Sequence, residues 1–206
     1  MLLLALLLSG CGGGAASSAE EALPASSDAG SGVVTFQKTD VKNEAMPPTR
    51  EEVLTAYDKA VTAFGWFRRQ SLPCDQASVM VEGNLYRRVN YAGIQTMEEL
   101  QTYLRGIFSQ EVIGKLLPED EEIPRYRDID GKLYVLPISR EPDPAKGTAD
   151  IEVEQPGPDI CRVNVTVELL SDDLQTVTGL EYYSFPYQCV DSRWVFTDFR
   201  LIDEGK

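Results

Sequence analysis

Apolar positions recur at helical spacing from about residue 49 to residue 117 and at every second position from residue 132 onward, so the chain reads as helices first and strands after. Val53, Leu54, Tyr57, Val61, Phe64 and Phe67 share one helical face. Thr49, followed three residues later by Glu52, is a capping box: hydroxyl and carboxylate each satisfy a backbone N–H that the first turn leaves without a partner. A helix is therefore predicted from Thr49 to about Gln70, broken by Leu72-Pro73-Cys74. Thr96 with Glu99 opens a second, carrying Leu100, Tyr103, Leu104 and Ile107, and Ser109 caps a third, which carries Val112, Ile113, Leu116 and Leu117 and stops at Pro118. Between the first two helices, Val79–Val81 and Leu85–Val89 read as a hairpin turned by Gly83-Asn84.

Strands are predicted over Lys132–Ile138, Asp150–Glu154, Cys161–Leu170, Thr176–Gln188 and Arg193–Ile202. In the third of these, Val163, Val165, Val167 and Leu169 face one way and Arg162, Asn164, Thr166 and Glu168 the other, which implies a sheet with one wet face. Ser171-Asp172-Asp173 and Asp191-Ser192 make tight turns, so the last three strands form an antiparallel meander. The layout is α+β, with N-terminal helices packed on a curved antiparallel sheet, and its order suggests an NTF2-like or cystatin-like roll.

The N-terminus carries a different signal. Met1–Leu8 is an apolar run of signal-peptide length, too short for a membrane span of roughly 20 residues. Leu8-Ser9-Gly10-Cys11 then fits a lipobox, in which the cysteine thiol takes a diacylglycerol. Residues 1–11 are expected to be a lipoprotein signal peptide and lipobox, cleaved before Cys11, which places the chain outside the cytoplasm, lipid-anchored to the cell membrane. No Lys or Arg precedes the apolar run, which points to a start upstream of Met1 or a short gene prediction. Residues 12–48, rich in Gly, Ala, Ser and Pro, read as a flexible linker, and residues 49–206 as a single domain.

Charge narrows the partners. The chain carries a net charge of −14, and residues 49–206 hold 28 acids against 17 bases, which argues against nucleic acid and for a basic protein partner. Histidine is absent, which removes Ser-His-Asp and Cys-His catalysis, histidine metal sites and imidazole acid–base chemistry. Beyond Cys11 the cysteines are Cys74, Cys161 and Cys189: too scattered for a zinc site, odd in number, and of open pairing. Asp128-Ile129-Asp130-Gly131 begins like a calcium loop but lacks the later ligands, so it reads as a turn into the next strand. No metal or cofactor is expected. An enzyme on this roll would need an inward carboxylate among tyrosines, for which Tyr134, Tyr182, Tyr183, Tyr187 and Asp198 are the candidates. Tyrosines on strands are mostly core, and the domain is read as non-catalytic. Glu119-Asp120-Glu121-Glu122, bracketed by Pro118 and Pro124, is the candidate partner-binding loop.

Several segments together resemble the IseA family: Phe64-Gly65-Trp66-Phe67, Leu85-Tyr86-Arg87-Arg88-Val89, Thr96-Met97-Glu98-Glu99-Leu100 with Tyr103-Leu104 and Ile107-Phe108-Ser109, and Asp128-Ile129-Asp130-Gly131-Lys132-Leu133-Tyr134. The resemblance covers roughly residues 50–202. It implies a non-catalytic, secreted inhibitor of peptidoglycan DL-endopeptidases that plugs the cleft of an NlpC/P60-type cell-wall hydrolase with acidic loops. The alternative is a small-molecule-binding NTF2-like module of the cell envelope, with an apolar pocket inside the cone.

Overall fold

A computed structural model describes residues 46–203. The signal peptide, Cys11 and all of the linker but its last three residues lie outside the described residues.

The first helix, α1, spans Arg50–Arg68 and opens on the capping box, with Thr49 N donating to Glu52 Oε2 at 2.8 Å and Glu52 N donating to Thr49 Oγ1 at 3.3 Å. It buries Val53, Tyr57, Ala60, Phe64, Trp66 and Phe67. The hairpin follows as β1 (Cys74–Val81) and β2 (Asn84–Val89). Its turn is Glu82-Gly83, with φ of 51° and 81°, and Asn84 already pairs with Val81; the two-residue turn sits one position earlier than the sequence suggests because Gly83 takes the left-handed second place. Helices α2 (Met97–Arg105) and α3 (Gln110–Leu116) start at their Thr96 and Ser109 caps.

Two short strands follow, β3 (Tyr126–Ile129) and β4 (Lys132–Val135). Asp130 and Gly131, with φ of 52° and 73°, turn between them. The sequence reading has the turn and the second strand but not β3, whose four residues are too few to show an alternation. These strands complete a first antiparallel sheet in the order β1-β2-β4-β3.

The second sheet is a plain meander of β5 (Lys146–Gly157), β6 (Ile160–Leu170), β7 (Val177–Val190) and β8 (Arg193–Phe196). β8 stops well before Ile202, the predicted end. On the side away from β7, Phe196 bonds to the α2–α3 connection, its N–H donating to Ile107 O and its carbonyl accepting from Ser109 N, each at 2.9 Å.

The fold is α+β, as the periodicity predicts, with its strands in two sheets rather than one. The segment between β4 and β5 contains Pro137, Pro142 and Pro144, which cannot donate to a ladder. It crosses the end of α1, where Arg140 N donates to Arg69 O and Ser71 N to Ile138 O. Helix α1 serves both sheets. Its Tyr57 ring lies 5.7 Å from Phe185 of β7, while its Phe67 ring lies 4.9 Å from Tyr126 of β3. Phe64, Phe108, Phe196 and Phe199 join the two ends into one continuous core. No buried residue among those described is polar or charged.

Candidate interaction surfaces

The acidic loop Glu119–Glu122 is exposed at all four carboxylates, and buried residues fix both of its ends. Upstream, Leu116 is buried at the end of α3. Downstream, Tyr86 Oη donates to Pro124 O at 2.8 Å and Tyr126 is buried beneath α1. Tyr126 Oη donates to Trp66 O and accepts from Leu72 N, each at 3.1 Å. Ile123 stands partly exposed between the acids and this anchor. The loop is not uniformly acidic in its surroundings: Glu121 lines a depression of about 200 Å³ together with Arg68, Lys115 and Arg125.

The five candidates Tyr134, Tyr182, Tyr183, Tyr187 and Asp198 do not converge on one site. Tyr134 is half-buried on β4 in the first sheet. On β7, Tyr182 points outward while Tyr187 packs against Trp194 and Phe196. Tyr183 Oη lies 2.5 Å from Glu181 Oε2, which also pairs with Lys146, and 3.2 Å from Ile202 O. Arg200 lies over the Tyr183 ring, 4.6 Å from its centre. Burial lowers the Lys146 ammonium, but the hydrogen bonds and charges of Glu181 and Tyr183 together outweigh it and leave its pKa above the ordinary value. This cluster ties the start of β5 to β7 and to the C-terminal segment. Asp198 is exposed beside Lys115, away from these tyrosines.

Beneath the second sheet the space is filled by Val163, Val165, Val167, Phe185, Tyr57 and Phe199. Open clefts lie at the two ends of α1 instead. One, of about 500 Å³, is lined by Glu52, Lys59, Ile107, Tyr187 and Trp194 among others. The indole Nε1 of Trp194 is buried without a hydrogen-bond partner. The second, of about 570 Å³, is lined by Trp66, Arg69, Tyr91, Arg140 and neighbouring residues.

Cys74, Cys161 and Cys189 are all free thiols. Burial pushes the Cys74 and Cys161 thiols up, which disfavours the nucleophilic thiolate. Asp128 and Asp130 belong to the β3–β4 hairpin, where Asp128 Oδ1 accepts from Gly131 N at 3.0 Å. Among the described residues no group of three or more His, Cys, Asp or Glu could hold a metal ion. No family model matches the chain, and no curated protein matches it.

A second acidic surface escaped the sequence reading. Residues 141–203 hold thirteen acids against four bases, whereas residues 46–140 hold fourteen against twelve. The register aligns Asp150 with Thr166 and Tyr182, and Glu152 with Asn164 and Ser184, in rows across the outer face of β5, β6 and β7. Asp150, Glu152 and Glu154 are exposed on β5. The signal was available as alternation along β5, but only strand pairing sets those acids beside Tyr182.

Proposed function

We propose that the chain is an exported lipoprotein, tethered through lipid on Cys11, whose domain binds a basic protein of the cell envelope without chemistry of its own. In the IseA manner, that partner is an NlpC/P60-type hydrolase and the bound domain obstructs its cleft. The observation that carries this reading is the projecting acidic loop Glu119–Glu122, fully exposed yet pinned at both ends by Leu116 and Tyr126. A loop held in this way presents its charges with little ordering cost on binding. The filled space beneath the second sheet favours a protein partner over a ligand inside a cone, and the NTF2-like kinship of the roll belongs to this same proposal.

The test is wall lysis by hydrolases of the native host in the presence of the purified protein, wild type beside a variant with Glu119, Asp120, Glu121 and Glu122 changed to Gln or Asn. Inhibition by the wild type, weakened in the variant and by added salt, is the expected result; the Debye length falls from about 10 Å at 0.1 M to about 3 Å at 1 M. Undiminished lysis at large molar excess would sink the proposal. The anchor is tested separately: a fatty-acid analogue should label the wild type and not Cys11→Ala. A second reading, small-molecule binding, has one observation in its favour, the unpartnered Trp194 N–H at the α1 cleft. A ligand there would shift Trp194 fluorescence and leave lysis unaffected.

A further inference from the structure

The second sheet has two long edges, and they are built differently. β5 carries exposed Asp150, Glu152 and Glu154 and also Pro156, devices that keep a sheet edge from pairing with other chains. β7 has no such protection over its first half. β8 pairs with it only from Tyr187 to Val190 and Thr197 N reaches Pro186 O just beyond, so among the described residues nothing pairs with Val177–Phe185 on the side away from β6. The only charge in that stretch is Glu181, which is committed to Lys146.

The direction of the main-chain groups follows from the pairing. Val190 and Arg193 flank a two-residue turn and bond to each other, so Val190, Gln188 and Pro186 direct their main-chain groups to the β8 side. Thr197 N donating to Pro186 O at 3.1 Å agrees, as does Cys189 N donating the other way, to Asp159 O, at 3.0 Å. The β6–β7 ladder runs without a shift from Gln188 to Gly179. The same alternation therefore points the N–H and C=O groups of Ser184, Tyr182 and Leu180 at the open edge. The side chains of these residues stand on the outer face, where Tyr182 is 71% and Leu180 48% exposed, beside exposed Leu174 and Val177.

We propose that this edge of β7 is a docking site for an extended segment of a basic partner protein, which adds to the second sheet as a further strand. Main-chain hydrogen bonds to Leu180, Tyr182 and Ser184 hold it, and its outward side chains lie against Leu180 and Tyr182. The occupant is basic because residues 141–203 carry thirteen acids and four bases, with Glu168, Asp172 and Asp173 near this end of the sheet. The same charge disfavours a second copy of the chain, which would bring two acidic sheets together. The site is separate from the acidic loop and stands whether or not the partner is a hydrolase.

The test uses the whole chain and a synthetic peptide alternating lysine with valine, followed by amide hydrogen exchange. Slowed exchange is expected at Leu180, Tyr182 and Ser184, with Glu181 and Tyr183, already in the ladder, unchanged. The same peptide N-methylated at alternate residues keeps its side chains and charge but loses its donors, and should bind at least about tenfold more weakly. Because that change is in the peptide, folding of the protein is not in question. Tyr182→Pro, which removes an edge-facing donor together with the Tyr182 ring, should weaken binding further than Tyr182→Ala, which removes the ring alone. Equal binding of both peptides, or no protection at the three amides, would overturn the proposal. Protection that grows with protein concentration in the absence of peptide would assign the edge to a second copy and overturn it equally.

Discussion

Tyr126 does more for this structure than its place in a four-residue strand suggests. Its ring fills the space under Phe67 and its hydroxyl satisfies two buried main-chain groups, Trp66 O and Leu72 N, where α1 gives way to β1. Burial drives its pKa far above the ordinary tyrosine value, so the hydroxyl stays protonated and can keep donating. Tyr126→Phe would leave both groups without partners and should cost about 1–3 kcal/mol in urea unfolding, with the denaturant slope unchanged. Nothing in the sequence singles out Tyr126, because its partners lie 54 and 60 residues away. Asp173 is the opposite case. Its carboxylate accepts from Ser171 Oγ, Gln175 N and Thr176 N within one turn, a cluster that holds its pKa down at about 2. Because the folded value lies below the unfolded one of about 3.9, the turn gains its full contribution above about pH 4 and loses it as pH falls through about 2. The amide shifts of Gln175 and Thr176 should titrate with a midpoint near 2, and Asp173→Asn should abolish that transition.

At the scale of elements, what was legible was local. The capping residues Thr49, Thr96 and Ser109 mark the three helix starts because a cap and its helix lie within four residues of each other. The Asp130-Gly131 turn is legible for the same reason. Gly131 has φ of 73° and an added Cβ would meet nothing, so Gly131→Ala should destabilise by about 1 kcal/mol through the backbone alone. Thermal unfolding of that variant beside a control substitution at exposed Gly114, a helical position, would check it. Strand ends were less legible. β8 ends at Phe196, whose main-chain groups point away from β7 and are taken up by residues 107 and 109, some ninety positions earlier. Alternation continues to Ile202 and registers neither that long-range contact nor the end of the strand.

For the whole molecule, the chain's acidity is plain from composition, yet its placement is not. Sequence runs draw the eye to Glu119–Glu122, whereas strand pairing gathers Asp150, Glu152 and Glu154 onto one face without any run at all. The division into two sheets also escapes the periodicity, since both read as strands of period two. Helix α1 is what both sheets share, and the three thiols happen to sample each of them: Cys74 in the first sheet, Cys161 and Cys189 in the second. Only Cys161 is buried, and it is a native clock for the second sheet; the Leu133 amide, buried and donating to Gln95 O, serves the first. If α1 locks the sheets into one cooperative unit, thiol modification of Cys161 and hydrogen exchange at Leu133 should report the same opening free energy, equal to that of global unfolding. A faster Leu133 would mean that the first sheet can peel from the helix while the second stays shut, leaving the acidic loop to breathe with it.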